Sequence, residues 1–320
     1  MKNKYVFVVV MLFAILVVSI GFTNIYVSQN QTAEDEDFVV VTSFYPMYIA
    51  TMNVIGDTEG VTLKNLSEPQ TGCLHDFQLT PADMKLLSTA DVFVINGGGI
   101  ESFMEEIAAQ YPKLKIVEAC EGIELLCDEH THEHADEEAH EDDHEHAHEH
   151  DVNAHAWMSV ELYRAQIENI ANGLAKADAE HAESYRANQT TYDGKLKELQ
   201  SKQEALVATL QGNSAILLHC AYDYVAEDYG LEVPFCMDLD EERQVSAGEV
   251  AEVLEIIEHD DVKYIFAEKL YAEAMCELIQ KEVDVKVVYL DPLTRGEYDA
   301  DSYLEGMRQN MQLLEDAFLR

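Results

Sequence analysis

Positive charge is scarce in this chain. Twenty Lys and Arg residues stand against 62 Asp and Glu, leaving a net charge of -42 at pH 7. Such a surface repels nucleic acid and anionic lipid and concentrates cations, so no nucleic-acid partner is expected. Paired thiolates are missing as well: Cys73, Cys120, Cys127, Cys220, Cys236 and Cys276 include no CxxC, which argues against a thiolate zinc knuckle. Outside a His-rich tract no HExxH occurs. Asn96-Gly97-Gly98-Gly99 fits neither the GxxxxGK[ST] nor the GxGxxG spacing, so it reads as a tight turn rather than a phosphate loop. Apolar residues are plentiful at 48%, enough for packed cores, and 320 residues suit about two domains.

Met1-Lys2-Asn3-Lys4 precedes an apolar run over residues 5–22. A basic flank before an apolar core is an export signal, and the run is also long enough for a tilted membrane span. Residues 1–27 are therefore expected to be a signal peptide or an N-terminal membrane anchor, followed by a polar linker over 28–37. Either way the folded part lies outside the cytoplasm, at the cell surface or in the periplasm. Six cysteines in an exported chain permit disulfides in fifteen pairings, or buried thiols, and sequence does not choose among them.

From residue 38 onward, short β-branched runs alternate with helical patterns. Strands are expected at 38–43, 60–66, 91–95 and 115–118, with helices between them. Thr80-Pro81-Ala82-Asp83 opens one helix with an N-cap, a first-turn proline and an acid. A second ladder has strands at 214–219, 232–236, 262–267 and 285–290, a capping box at Ser246-Ala247-Gly248-Glu249, and a last helix over 302–319. Between the ladders, residues 182–210 are helical throughout, about 40 Å at 1.5 Å per residue, without a strict apolar heptad. The expected fold is α/β: two lobes with mainly parallel sheets, 38–177 and 213–320, joined by one long rigid helix within 178–212. Open sheets of this kind bind ligands at their carboxyl ends.

The tract at 128–151 interrupts the first ladder. Eight of its 24 residues are His and 12 are Asp or Glu. It has no apolar periodicity and cannot supply a core. His130, His132, His134, His140, His144, His146, His148 and His150 offer accessory metal ligands, since neutral imidazole binds zinc and its neighbours. Outside the tract, His75, His155 and His219 lie in loops or at a strand end where they could face a cleft. His181 and His259 sit among charges at helix ends and read as surface residues.

Seven segments, in order, resemble the zinc/manganese cluster of solute-binding proteins of ABC transporters. They are Thr42-Ser43-Phe44-Tyr45-Pro46, His75-Asp76-Phe77-Gln78-Leu79-Thr80-Pro81-Ala82-Asp83, Asn96-Gly97-Gly98-Gly99-Ile100-Glu101, His155-Ala156-Trp157, the His219 strand end, Phe266-Ala267-Glu268 and Asp291-Pro292-Leu293. The resemblance covers about residues 38–320. It implies one metal held between the lobes, with His75 and His155 as ligands from the first lobe and His219 from the second. Asp291 matches an acidic fourth ligand of some members; Glu268 or water is the alternative. Three imidazoles suit Zn2+ better than Mn2+, which prefers more oxygen. The sequence departs from the family pattern in having Leu74 where Pro is common before the first His. Cys73 lies two residues before His75, and Cys220 directly follows His219; these two could pair, remain thiols, or ligate.

The resemblance implies a monomeric extracytoplasmic protein that captures Zn2+ and hands it to a membrane ABC permease, with modest lobe motion and no bond made or broken. Affinity is expected to fall as pH drops through about 6.5, because the histidines must be neutral to bind. The alternatives are a manganese or iron binder of the same family, a zinc hydrolase using Glu268 as base, and a surface metal buffer working through the tract.

Overall fold

The computed structural model describes residues 37–74, 77–127, 152–239, 243 and 245–319. The apolar N-terminal run, His75 and the His-rich tract, whose eight histidines were the accessory ligands, lie outside the described residues. Two four-stranded sheets organise the rest. The first holds β1 (Phe38–Thr42), β2 (Val61–Asn65), β3 (Val92–Ile95) and β4 (Lys115–Glu118) in the order β2-β1-β3-β4. The second holds β5 (Ser214–Leu217), β6 (Glu232–Cys236), β7 (Tyr264–Ala267) and β8 (Lys286–Tyr289) in the order β6-β5-β7-β8. Every pairing is parallel. The β-branched run Val39-Val40-Val41 and the fully buried Val92-Phe93-Val94-Ile95 take interior positions, as strands covered on both faces must. Pro234 sits in β6, an edge strand, where its missing N–H breaks no interior ladder.

The helices are α1 (Tyr45–Ile55), α2 (Pro81–Leu87), α3 (Met104–Gln110), α4 (Val160–Ala177), α5 (Ala182–Leu210), α6 (Asp223–Tyr229), α7 (Ala247–His259), α8 (Lys269–Glu282) and α9 (Ser302–Leu319). Both expected capping boxes form, Thr80 with Asp83 and Ser246 with Glu249. α3 begins only at Met104, after a turn in which Gly97, Gly98 and Gly99 all take positive φ. Gly98 has φ +64°, which disfavours any side chain, and a Cβ there would also push on Leu125 Cδ1 at 2.7 Å.

α5 is the long helix expected over 182–210. It is not a free-standing strut. Tyr185, Tyr192, Leu196, Leu199 and Leu210 are buried, and Gln203 continues the same stripe. The three- and four-residue steps from 192 to 203 face α4, so the stripe serves packing within the chain. Arg164 on α4 fixes the register by donating to Asp193 at 2.6 Å and Gln200 at 2.7 Å. Gln203 donates to Asp228 of α6 at 2.6 Å, and Ser159, the N-cap residue of α4, donates to the other Asp228 oxygen at 3.1 Å.

The lobes share one core. Buried side chains from β1, α4 and α5 continue through Phe266, Leu290, Tyr303 and Leu314, while a smaller cluster covers the other face of the second sheet. The segment leading into α9 is bonded to the first lobe: Tyr45 donates to Glu297 O at 2.9 Å and Asn53 to Ala300 O at 2.9 Å. Tyr163 of α4 stacks on Tyr303 of α9 at 3.7 Å between centroids. Opening the lobes wide would break this apolar continuity, so the fold favours small displacements.

Candidate metal site

In each sheet the chain reverses its direction of growth beside the first strand, at β1/β3 and at β5/β7. A crevice opens at the carboxyl ends there. Three donors reach it from three connections: Cys73 after β2, His155 after β4, and His219 after β5.

His155 is 1% exposed and precedes a 3-10 turn, Ala156–Met158. Trp157 in that turn is fully buried. Its indole N–H donates to Pro292 O at 2.9 Å, and its ring meets Phe44 edge-on at 5.2 Å. The turn is thereby pinned to both lobes. His219 is 4% exposed, has extended backbone, and leads directly into the 3-10 turn Cys220–Tyr222. The two imidazoles stand 5.2 Å apart between centroids at 84°.

Hydrogen bonds fix the tautomers. The Asn153 amide nitrogen donates to Cys220 O at 2.7 Å and to Asp223 Oδ2 at 3.0 Å. Its oxygen must therefore face His155, accepting the backbone N–H at 3.1 Å and Nδ1–H at 2.9 Å. His219 Nδ1 lies 2.8 Å from Asp238 Oδ1, a closer partner than the Ala221 N–H at 3.4 Å. In their neutral forms both histidines thus spend Nδ1–H on an oxygen and keep an Nε2 lone pair. An oxygen behind each imidazole is the usual support for a metal-binding His.

Cys73 Sγ sits on the Nε2 side, 3.5 Å from His155 and 3.8 Å from His219. These three donor atoms all lie within 4.8 Å of one another, as do those of His219, Cys220 and Asp238. All six cysteines are free thiols, so no disulfide forms beside the site. Cys220 lies on the Nδ1 side, and burial pushes its thiol up to about 12.

The pair behind the site is strongly polarised. Burial pulls the His219 pKa down, but hydrogen bonds with Asp238, Cys220 and Cys73 outweigh it and leave the imidazole well above 6.5. Burial pushes Asp238 up, yet the His219 hydrogen bond and charge draw it well below the ordinary carboxylate range. The onset of proton competition with metal therefore lies above the pH of about 6.5 expected from an unperturbed histidine.

Neither acidic residue considered for the fourth position joins these clusters. Asp291 Oδ1 accepts the Leu293 N–H at 2.8 Å; the side chain is open to water in a pocket, yet protein surrounds it and raises its pKa. Glu268 Oε1 faces Arg295 Nη2 at 3.7 Å. Of the other histidines, His259 is exposed as expected, while His181 is half-buried and bonded to Asp178 at 2.7 Å. Leu74, at the position where the family pattern has Pro, is fully buried in the core. Asn153 and Asp238 were not marked by sequence pattern; an Asn two residues before a candidate ligand was the one local hint.

The Asn96 turn is braced from within. Glu101 accepts from Asn96 N–H at 2.8 Å, Gly97 N–H at 3.0 Å and Ser43 Oγ–H at 2.8 Å. Its carboxylate occupies the donors an anion would need, in keeping with a tight turn. Asn96 also donates to Ala154 O at 2.9 Å, which ties the turn to the His155 segment.

The chain resembles known proteins over most of its length. Residues 40–317 match the family described as zinc-uptake complex component A, periplasmic. The zinc-binding protein AdcA of Streptococcus pyogenes is 29% identical over 309 residues, covering 93% of this chain and 59% of that protein. The chain thus spans less than two thirds of that relative. The high-affinity zinc uptake system protein ZnuA of Bacillus subtilis is 30% identical over 287 residues, covering 88% of this chain and 87% of ZnuA. Among solved structures, the solute-binding protein FpvC of Pseudomonas aeruginosa in complex with Ni2+ aligns with a TM-score of 0.72 at 26% identity, covering 88% of this chain and 97% of FpvC.

Proposed function

We propose, from the premise that this chain belongs to the zinc-uptake component A family, that it captures Zn2+ in the crevice between its lobes and delivers it to an ABC permease. One observation carries the reading. His155 and His219 stand in different lobes, both nearly buried, with Nε2 atoms turned toward a common space and Nδ1–H atoms held by Asn153 and Asp238. That is a preorganised receptor for a cation that takes imidazole ligands. His75 is the third imidazole the family pattern supplies. Release needs only a small shear between lobes, because the ligands belong to opposite sides of a shared core.

Two features fit delivery rather than catalysis. A hydrolase would need a base beside a metal-bound water, and Glu268 faces Arg295 instead. The spelling HExxH arises twice within the tract, at 140–144 and 144–148, where alternating His and acid generate it by composition. The tract is best placed as a feeder. Cys127 and Val152, which flank it, pair, and Asn153 N–H bonds Leu126 O at 2.8 Å, so its two flanks are held together a few residues before His155. We place the protein outside the cytoplasm as a monomer, tethered or exported through residues 5–22.

The test is zinc uptake by cells lacking the chain. Re-expression restores growth at limiting zinc, and the His219→Ala protein does not. Equal rescue by that variant, or ester, peptide or phosphate turnover by the metal-loaded protein, contradicts the reading.

A further inference from the structure

We propose that Cys73 ligates the captured metal through Sγ, so that the site is a mixed sulfur–nitrogen centre selective for zinc over manganese. The inference rests on the capture reading above. It begins from distances. In tetrahedral zinc with Zn–S about 2.3 Å and Zn–N about 2.0–2.1 Å, neighbouring sulfur and nitrogen lie about 3.6 Å apart. Cys73 Sγ is 3.5 Å from His155 Nε2 and 3.8 Å from His219 Nε2. Two edges of one face of such a tetrahedron are thus near their final length, and the third, between the two nitrogens, lies within 4.8 Å.

The two neighbouring thiols are not equivalent. Cys220 Sγ approaches the Nδ1 atoms, at 3.6 Å from His155 and 3.8 Å from His219. Those nitrogens are committed to Asn153 and Asp238. Of the two thiols, Cys73 is the one on the side of the imidazoles that keeps lone pairs.

The Cys73 segment is held on both flanks. Leu74 is fully buried in the core. Gly72 has φ +88°, and a Cβ there would lie 2.5 Å from Arg295 Nη2, so the backbone closes on the second lobe. Pro69 O accepts the Gly296 N–H at 3.1 Å. A thiol presented this way loses little freedom on binding.

Binding is balanced without redox chemistry: the Cys73 thiol gives its proton to solvent as the metal–sulfur bond forms. Thiolate favours zinc, whereas manganese prefers oxygen donors. With sulfur in the coordination sphere, Asp291 keeps its bond to the Leu293 N–H and Glu268 keeps Arg295. The acidic residues then act outside the donor set.

The test uses the full chain loaded with Co2+, compared as wild type, Cys73→Ser and Cys220→Ser. The tract at 128–151 contains no cysteine, so cobalt bound there gives no sulfur signal. A near-ultraviolet thiolate-to-cobalt charge-transfer band is expected in wild type and Cys220→Ser and absent in Cys73→Ser. Zinc affinity of Cys73→Ser should fall at least about tenfold, with a smaller fall for manganese. Should the variant misfold, zinc-edge X-ray absorption on the unaltered protein decides, with one sulfur expected at about 2.3 Å. A band that survives in Cys73→Ser, or a zinc shell without sulfur, overturns the inference while leaving zinc capture intact. Failure of the wild type to take up zinc tightly overturns both.

Discussion

Removing the carboxylate behind His219 should weaken zinc binding by an amount that depends on pH. Asp238→Ala deletes the acceptor 2.8 Å from Nδ1. Loss of such an oxygen typically costs about 10–100-fold in metal affinity, or roughly 1.4–2.7 kcal/mol. A second effect opposes it. In the wild type Asp238 raises the His219 pKa well above 6.5, so a proton competes for Nε2 as the pH falls. Below that raised pKa each pH unit costs the wild type about tenfold. In the variant only the Cys220 and Cys73 hydrogen bonds are left to oppose burial, so His219 is held less far up and this competition is weaker. The loss should therefore shrink as the pH falls from 8 to 6. Apo stability gives a cross-check. The raised His219 contributes fully below its unfolded value of 6.5 and loses that contribution as pH rises through its folded pKa. The depressed Asp238 contributes above its unfolded value of 3.8 and loses that as pH falls through its folded pKa. The apo variant should be most destabilised between those two unfolded values. Competition against a fluorescent zinc chelator at pH 8, 7 and 6, with denaturant melts of apo protein, measures both. Equal affinity of variant and wild type at pH 8, or a loss identical at every pH, refutes the reasoning.

Glu101 offers a second pH test. Burial pushes its carboxyl up to about 7 against the lowering effect of its three donors, from an ordinary 4.5. A raised acid stabilises the fold below its unfolded pKa and loses that contribution as pH rises through the folded one. Chemical denaturation of apo Glu101→Gln against wild type should shift in favour of the variant by about 3 kcal/mol between pH 4.5 and 8; parallel stability profiles contradict this. Gly72→Ala should destabilise by about 1–3 kcal/mol through positive φ. It should also weaken zinc binding, because the new Cβ displaces Arg295 and with it the Cys73 segment. Unaltered denaturation midpoint and affinity would show that this approach is not tight.

Much of the fold was legible because its signals are local. Val39-Val40-Val41, Thr80-Pro81-Ala82-Asp83 and Ser246-Ala247-Gly248-Glu249 each announce a strand or a helix start within a few residues, and the bounds of α5 follow from an unbroken helical composition. His155 and His219 could be singled out because each stands beside a turn into a helix. The support of the site was not legible. Asp238 meets His219 from the loop after β6, where it is one acid among several at 238–242. Cys73 meets His219 across 146 residues, a neighbour relation set by sheet order rather than by spacing. Asn153 acts through its amide orientation, which only its long-range partners Cys220 and Asp223 determine. Polar contacts of this kind depend on the finished topology.

The central claim is that one dispersed crevice, and not the conspicuous tract, binds the metal. Calorimetric zinc titration of the chain lacking residues 128–151, alone and with His155→Ala and His219→Ala, tests it most directly. The deletion protein should retain one tight site per chain, and the two histidine changes should abolish it. Loss of all tight binding on deletion of the tract, or tight binding that survives both histidine changes, would contradict the account.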